Sequence, residues 1–267
     1  MNYLRDSWRR WVAWLLLAVV FAIACGFLSN WQFNRRNEAL AKMAQLAQNY
    51  DAPPVSLNSV NFKAGDEWRP LKLTGHFLPA NTLLVRNRPY NGDPGFLELV
   101  PFQRTDGLVV AIEVGWLPSD DHLNPPKIYP RPGSQLQTIW GRQRPSEPTL
   151  DRGAPAGQIA TINLPTFVKK VGIKDRAVTS FYLSLGESNF AKNGSPRLLE
   201  RPQLDEGNHL SYAFQWIAFA VLAFCALLWA IRQEIHFKRL ATDPEYKPKV
   251  RKKVGDEDNN AEDSLLA

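Results

Sequence analysis

Cysteine and histidine are scarce: the chain of 267 residues has two cysteines and four histidines. Both cysteines, Cys25 and Cys225, stand in apolar runs, which excludes a disulfide framework for the segment between those runs. G-x-S-x-G, H-E-x-x-H, a phosphate-binding glycine loop and C-x-x-C are all missing, and with them the common signatures of hydrolytic, zinc-dependent, nucleotide-handling and thiol-redox enzymes. Only His76 and His122 lie clearly in the middle of the chain, too far apart in sequence to form a metal site by spacing. Asp66 with Glu67, or Asp120 with Asp121, would be the acid and base pairs of a hydrolase. Neighbours on an extended chain point to opposite faces, so solvated loop charge is the better reading. The sequence points to a protein that is not an enzyme.

Charge is absent from two places. Trp11 to Leu28 (WVAWLLLAVVFAIACGFL) and Leu210 to Ile231 (LSYAFQWIAFAVLAFCALLWAI) hold no Asp, Glu, Lys or Arg, although the mean hydropathy of the whole chain is -0.29. Each run is long enough to cross a bilayer as a helix. Trp8, Trp11, Trp14 and Trp31 stand on the first, and Tyr212, Trp216 and Trp229 on the second, where interfacial anchoring favours aromatics. Cleavage and lipidation at Cys25 is the alternative, but Ala22 stands where such a signal usually has leucine.

Basic residues set the orientation. Arg5, Arg9 and Arg10 precede the first run; Arg232, Lys238, Arg239, Lys247, Lys249, Arg251, Lys252 and Lys253 follow the second. Both tails are expected in the cytoplasm and the long middle segment outside, since long segments translocate largely regardless of Arg35, Arg36 and Lys42. The formal net charge of +6 is then partly a topology signal and implies no nucleic-acid partner. The final tail turns acidic (GDEDNNAEDS) and is expected to be disordered after about Asp243, its lysines within reach of anionic lipid heads.

Helical spacing of Phe33, Leu40, Met43, Leu46 and Tyr50 extends the first run outward as an amphipathic helix, which Asp51, Pro53 and Pro54 end. Strands are expected over 71–77, 82–88, 96–104, 108–116, 135–143, 158–163 and 181–185, with Thr105-Asp106-Gly107 as a tight hairpin. Pro125, Pro126, Pro130 and Pro132 make 119–134 an exposed loop. Leu164 to Val171, with Pro165 at its start and Gly172 at its end, reads as a short helix packed on the sheet. The expected fold is an α+β membrane protein in which two transmembrane helices flank a β-rich extracytoplasmic domain, drawn as a small, partly open barrel. Its segments are a cytoplasmic N-tail (1–10), transmembrane helix 1 (11–30), the β-rich domain (31–208), transmembrane helix 2 (209–231) and a basic, then acidic, cytoplasmic tail (232–267).

The start of the second run carries the most chemistry. In a helix beginning near Asn208, His209, Tyr212, Ala213 and Trp216 share a face, at offsets of three, four and seven. Neutral imidazole is a common haem-iron ligand, and aromatics at the membrane boundary make an apolar wall for a macrocycle. The same histidine also suits a helix start where its ring meets headgroups or backbone. Gln215, an amide inside the run, needs a partner from the first run or from another protein.

The chain resembles the surfeit locus protein 1 family. Asn208-His209-Leu210-Ser211-Tyr212-Ala213-Phe214-Gln215-Trp216 is similar to the family's N-H-x-x-Y-A-x-x-W signature, and Trp31-Gln32-Phe33-Asn34-Arg35-Arg36 to its W-Q-x-x-R segment. Gly75-His76-Phe77 through Arg86-Asn87-Arg88, then Pro101-Phe102, Asp106-Gly107 and Val114-Gly115-Trp116-Leu117-Pro118, resemble its further elements in order. Val114 stands where the family usually has arginine, and the tryptophan and aspartate often found near 164–172 are missing. The resemblance implies an assembly factor for cytochrome c oxidase that aids delivery of haem a to subunit I. It implies His209 as axial ligand to the haem iron; helix geometry would then make Tyr212 and Trp216 pocket walls. Subunit I, haem a synthase and membrane lipid are the expected partners; a scaffold that binds oxidase subunits without haem is the alternative. The expected location is the bacterial inner membrane, the lack of a transit peptide disfavouring a mitochondrial one.

Overall fold

The computed structural model describes residues 3–58, 61–120, 124–150, 152–173, 176–186 and 196–242. The expected tail after Asp243, His122 and Asp121 lie outside the described residues. Two compact units emerge: one comprises Met1–Asn37 with Gly207–Ala267, the other Glu38–Glu206.

The first unit is an antiparallel helix pair. Helix α1 runs Tyr3–Asn49 and α3 runs His209–Thr242, and both are long and apolar enough to cross a membrane. Their shared face is made of small side chains. Ala18, Cys25 and Ser29 of α1 and Ala213 of α3 are all buried, while Leu16, Val20, Phe27, Val221 and Leu222 face outward. Small residues let two apolar helices approach where no difference in hydrophobicity drives them together.

The second unit opens with the outer end of α1, as the periodicity after Trp31 predicts. Asn49 donates through Nδ2 to the carbonyls of Gly65 and Glu67, each at 2.8 Å, and Gln45 donates to the carbonyl of Ala64. The strands are β1 (Val55–Ser56), β2 (Pro70–Phe77), β3 (Leu83–Val85), β4 (Gly95–Arg104), β5 (Val109–Pro118), β6 (Gln137–Pro145), β7 (Gln158–Ile159) and β8 (Phe181–Leu185), with α2 (Leu164–Val171) before β8. Two expected strands are shorter than their sequence runs. β3 stops before Asn87, whose φ of 56° turns the chain, and only two residues of 158–163 pair, as β7. The expected hairpin forms: Gly107 takes φ 82° and donates to the carbonyl of Arg104 at 2.9 Å.

The barrel is closed, where the sequence suggested a partly open one. Strands β2, β6, β8, β5 and β4 follow one another, and β4 returns to pair with β2 through Gly75–Arg104, His76–Gln103 and Phe77–Phe102. Closure depends on Gly75, the residue at which β2 passes from β6 to β4. A Cβ there would lie 2.0 Å from the carbonyl oxygen of Gln103, so only a residue without one lets the strands meet. Leu73, Phe77, Val100, Phe102, Ile112, Ile139, Phe181 and Leu183 fill the interior, each almost fully buried. Val114 belongs to this interior with no exposure, so an apolar side chain suits the position.

Outside the ring, α2 packs Leu164 and Phe167 against Leu83, Val85, Leu99 and Ile159. Its ends are those the sequence signals: Asn163 Oδ1 accepts from the Thr166 amide at 3.1 Å, and Gly172 closes the helix at φ 71°.

Candidate functional site

Helix α3 begins at His209, after Gly207 turns the chain at φ 66°. Its first-turn carbonyls are already engaged, Asn208 accepting from the Tyr212 amide at 3.1 Å. The imidazole therefore projects from a fixed backbone. Its Nδ1 lies 2.8 Å from Oε1 of Gln32 on α1. An amide oxygen only accepts, so this contact is a hydrogen bond in the tautomer that carries its proton on Nδ1, which places the ring's lone pair on Nε2. A histidine held by its Nδ1–H and offering Nε2 is the arrangement in which imidazole serves as a metal ligand, the second hydrogen bond fixing both tautomer and ring orientation.

Gln32 is the residue that sequence reasoning left without a role, though it lies in the matched W-Q-x-x-R segment. A signal was present: Ala18, Cys25 and Gln32 are seven apart, the repeat of a helix seam, and so share the face that α1 turns to α3. On α3 the matching face includes His209, Ala213 and Trp216, with Ala213 fully buried. Heptad spacing on both helices thus brings Gln32 and His209 together.

The expected pocket walls differ in placement. Trp216 is half-buried and meets Phe219 edge-on at 5.8 Å between ring centroids. Tyr212 is 50% exposed and lies on the flank of the same face, about 60° around the helix from His209. Phe33 of α1 and Phe214 of α3 pack edge to face at 6.1 Å between ring centroids. The partly exposed imidazole thus borders an aromatic surface. Among the described residues no group of three or more His, Cys, Asp or Glu side chains gathers to hold a bare metal ion. A metal that arrives inside a macrocycle brings its own equatorial nitrogens and asks the protein for an axial ligand alone, which His209 can supply.

The remaining candidates are accounted for locally. His76 is partly buried in the β2–β4 closure, its Nε2 3.1 Å from Oε1 of Gln103. Asp66 pairs with Arg69 at 3.8 Å and Glu67 with Arg144 at 3.4 Å, so these neighbours do not converge. Asp120 Oδ1 accepts from the Asn124 amide at 2.7 Å. Gln215 is exposed on α3, and its side chain makes no hydrogen bond among the described residues, so the first helix does not satisfy it.

Two buried acids were not foreseen. Glu98 on β4 and Glu113 on β5 are 0% and 2% exposed, and burial pushes each carboxyl up to about 7. Ser184 donates to Glu113, whereas neither oxygen of Glu98 has a hydrogen bond. Glutamates inside the apolar runs FLELV and AIEVG were the available signal.

At the other end of the helix pair, Glu234 of α3 accepts from Ser7 Oγ and Trp11 Nε1 of α1, both at 2.9 Å, and pairs with Arg10 and Lys238. This cluster too escaped the sequence, where Glu234 reads as one charge in a basic flank.

Compared with known families, the chain matches the SURF1 family over residues 19–221. It is 31% identical over 240 residues to an uncharacterized SURF1-like protein of Mycobacterium tuberculosis, covering 86% of each chain. It is 27% identical over 155 residues to the cytochrome oxidase assembly protein SHY1 of Saccharomyces cerevisiae, covering 49% of this chain and 40% of that one. It is also 27% identical over 125 residues to surfeit locus protein 1 of Gallus gallus, covering 40% of each. The chain belongs to the SURF1 family.

Proposed function

We propose that this member of the SURF1 family is a membrane-anchored, non-enzymatic assembly factor for cytochrome c oxidase that receives haem a on His209 and passes it to subunit I. The observation that carries the reading is the 2.8 Å hydrogen bond between His209 Nδ1 and Gln32, which orients the ring and leaves Nε2 to take an axial position on the iron. Haem is cargo here. A single protein ligand on a half-exposed ring holds it less tightly than a closed pair of ligands would, which suits release. Tyr212 and Trp216 supply apolar surface along one edge of the macrocycle. The yeast relative's name supports the oxidase as client. The two apolar helices and their basic flanks support a bacterial inner-membrane location with both termini in the cytoplasm. Haem a synthase is the natural donor in this scheme.

The deciding experiment is the visible spectrum of the detergent-purified full chain and its His209→Ala variant, from cells that make haem a. A haem band in the parent and its loss from a folded variant are expected. Absence of haem from both, with haem a supply verified, would favour a scaffold that binds oxidase subunits alone, a reading for which the unpartnered, exposed Gln215 offers a contact point.

A further inference from the structure

Helices α1 and α3 are held together at both ends, by His209 with Gln32 and by the cluster around Glu234. Near the Glu234 end they leave a groove of about 550 Å³. Its walls are Trp14, Leu17 and Phe21 from α1 and Ala223, Ala226 and Ala230 from α3. Alanine at those three positions is what makes the space: side chains of leucine size there would fill it. A bilayer leaves no such trough empty, and a volume in this range accommodates a small-molecule or lipid ligand.

The mouth discriminates among occupants. Arg10, Trp11 and Glu234 border it. The Glu234 carboxylate is already supplied with donors by Ser7, Trp11, Arg10 and Lys238. Arg10 reaches it through Nη2 only and its side chain is 59% exposed, so most of its five N–H donors face outward. Arg9 and Arg232, in the adjoining turns, are exposed as well. Arg10 and Lys238 together outweigh Glu234 by one positive charge before these neighbours are added. An uncharged hydrocarbon segment or a further apolar helix would fill the trough and leave that charge unanswered, whereas a phosphodiester above the trough would take it.

We propose that this groove is a lipid site: one acyl chain of an anionic phospholipid lies along Ala223, Ala226 and Ala230, with its phosphate on Arg10. The proposal rests on reading α1 and α3 as membrane spans, and it concerns the end of the helix pair opposite His209. The lipid would complete the packing of two helices whose buried contacts near Cys25, Ser29 and Ala213 give way to this trough before the Glu234 cluster joins them again.

Native mass spectrometry of the full chain in mild detergent, titrated with phosphatidylglycerol or phosphatidylcholine, tests it. Wild type should retain one phosphatidylglycerol per chain at least tenfold better than phosphatidylcholine. Ala226→Phe, which fills the trough and spares every charge, should lose that binding tenfold or more. Arg10→Gln should keep chain binding and lose the preference for the anionic lipid. Equal retention of both lipids, no retained lipid, or undiminished binding by Ala226→Phe would each overturn the site. Resistance to carbonate extraction separates this failure from failure of the membrane reading: a chain that stays in the membrane yet binds no lipid sinks the lipid site alone, and a chain released by carbonate sinks both.

Discussion

Ser184 of β8 donates its hydroxyl to Glu113 of β5 at 2.6 Å, across the parallel pair that joins these two strands of the ring. The bond is the polar partner of a carboxyl that is otherwise sealed off, and burial, opposed by Ser184, Arg144 and Arg88, carries its pKa from 4.5 to about 7. Glu98 makes the same journey, with burial again the leading cause and the charge of Arg131 and the nearby Tyr129 hydroxyl opposing it.

A pH dependence of stability follows. Below pH 4.5 each carboxyl is neutral whether the chain is folded or unfolded, so neither contributes. As pH rises from 4.5 to 7 the unfolded chain ionises these groups while the folded one keeps its protons, and stability falls; above about 7 the loss is complete. Each carboxyl then costs about 3 kcal/mol, at roughly 1.4 kcal/mol for each unit of displacement. Urea denaturation of the barrel, followed by near-UV circular dichroism at pH 5 and pH 8, should give a lower midpoint at pH 8. The double variant Glu98→Gln/Glu113→Gln should lose most of that difference. An unchanged difference would show that other groups cause it.

Gly75→Ala should be among the most damaging substitutions of a small residue in the chain. The added methyl meets the carbonyl of Gln103 at 2.0 Å and must push β2 away from β4, opening the ring. A loss of about 3 kcal/mol is expected, the upper end of the usual range for forced overpacking and backbone displacement in a core. Gly65→Ala, where nothing lies within 4 Å, is the matched control and should change little. Amide exchange at His76 and Phe77 reports the outcome, and protection that survives Gly75→Ala would refute the closure argument.

Gln32→Leu separates orientation of the histidine from its presence. Without the amide oxygen the imidazole keeps its place at the start of α3 but loses the acceptor that holds its proton on Nδ1. Losing the hydrogen bond that orients a ligand histidine weakens metal affinity by about 10–100-fold. The expected result is a haem band that is shifted and reduced in the Gln32 variant, and absent after His209→Ala. Gln32→Glu, which restores an acceptor, should recover the band. Identical spectra for wild type and Gln32→Leu would leave the hydrogen bond without a role in haem binding.

Much of the fold is legible in the sequence. The two apolar runs, the helix that continues α1 to Asn49, the hairpin at Gly107 and the limits of α2 all follow from local rules: hydrophobic length, helical period, turn glycine and capping pair. His209 was singled out in the same way, because its environment on α3 is set by residues three, four and seven positions away.

What the local pattern could not decide depends on residues far apart in sequence. His209 and Gln32 are separated by 177 positions, and which side chain of α1 answers the imidazole depends on the register of two packed helices. Closure of the barrel turns on whether Gly75 meets Gln103, a question of strand curvature that period-two alternation does not carry. Glu98 and Glu113 read as ordinary strand acids until both faces of the sheet around them are covered. Which segments are helix and strand, and which faces are apolar, can be read along the chain because those properties depend on neighbouring residues. Which polar groups are buried, and with what partner, emerges on folding, since burial belongs to the surfaces that meet rather than to either one.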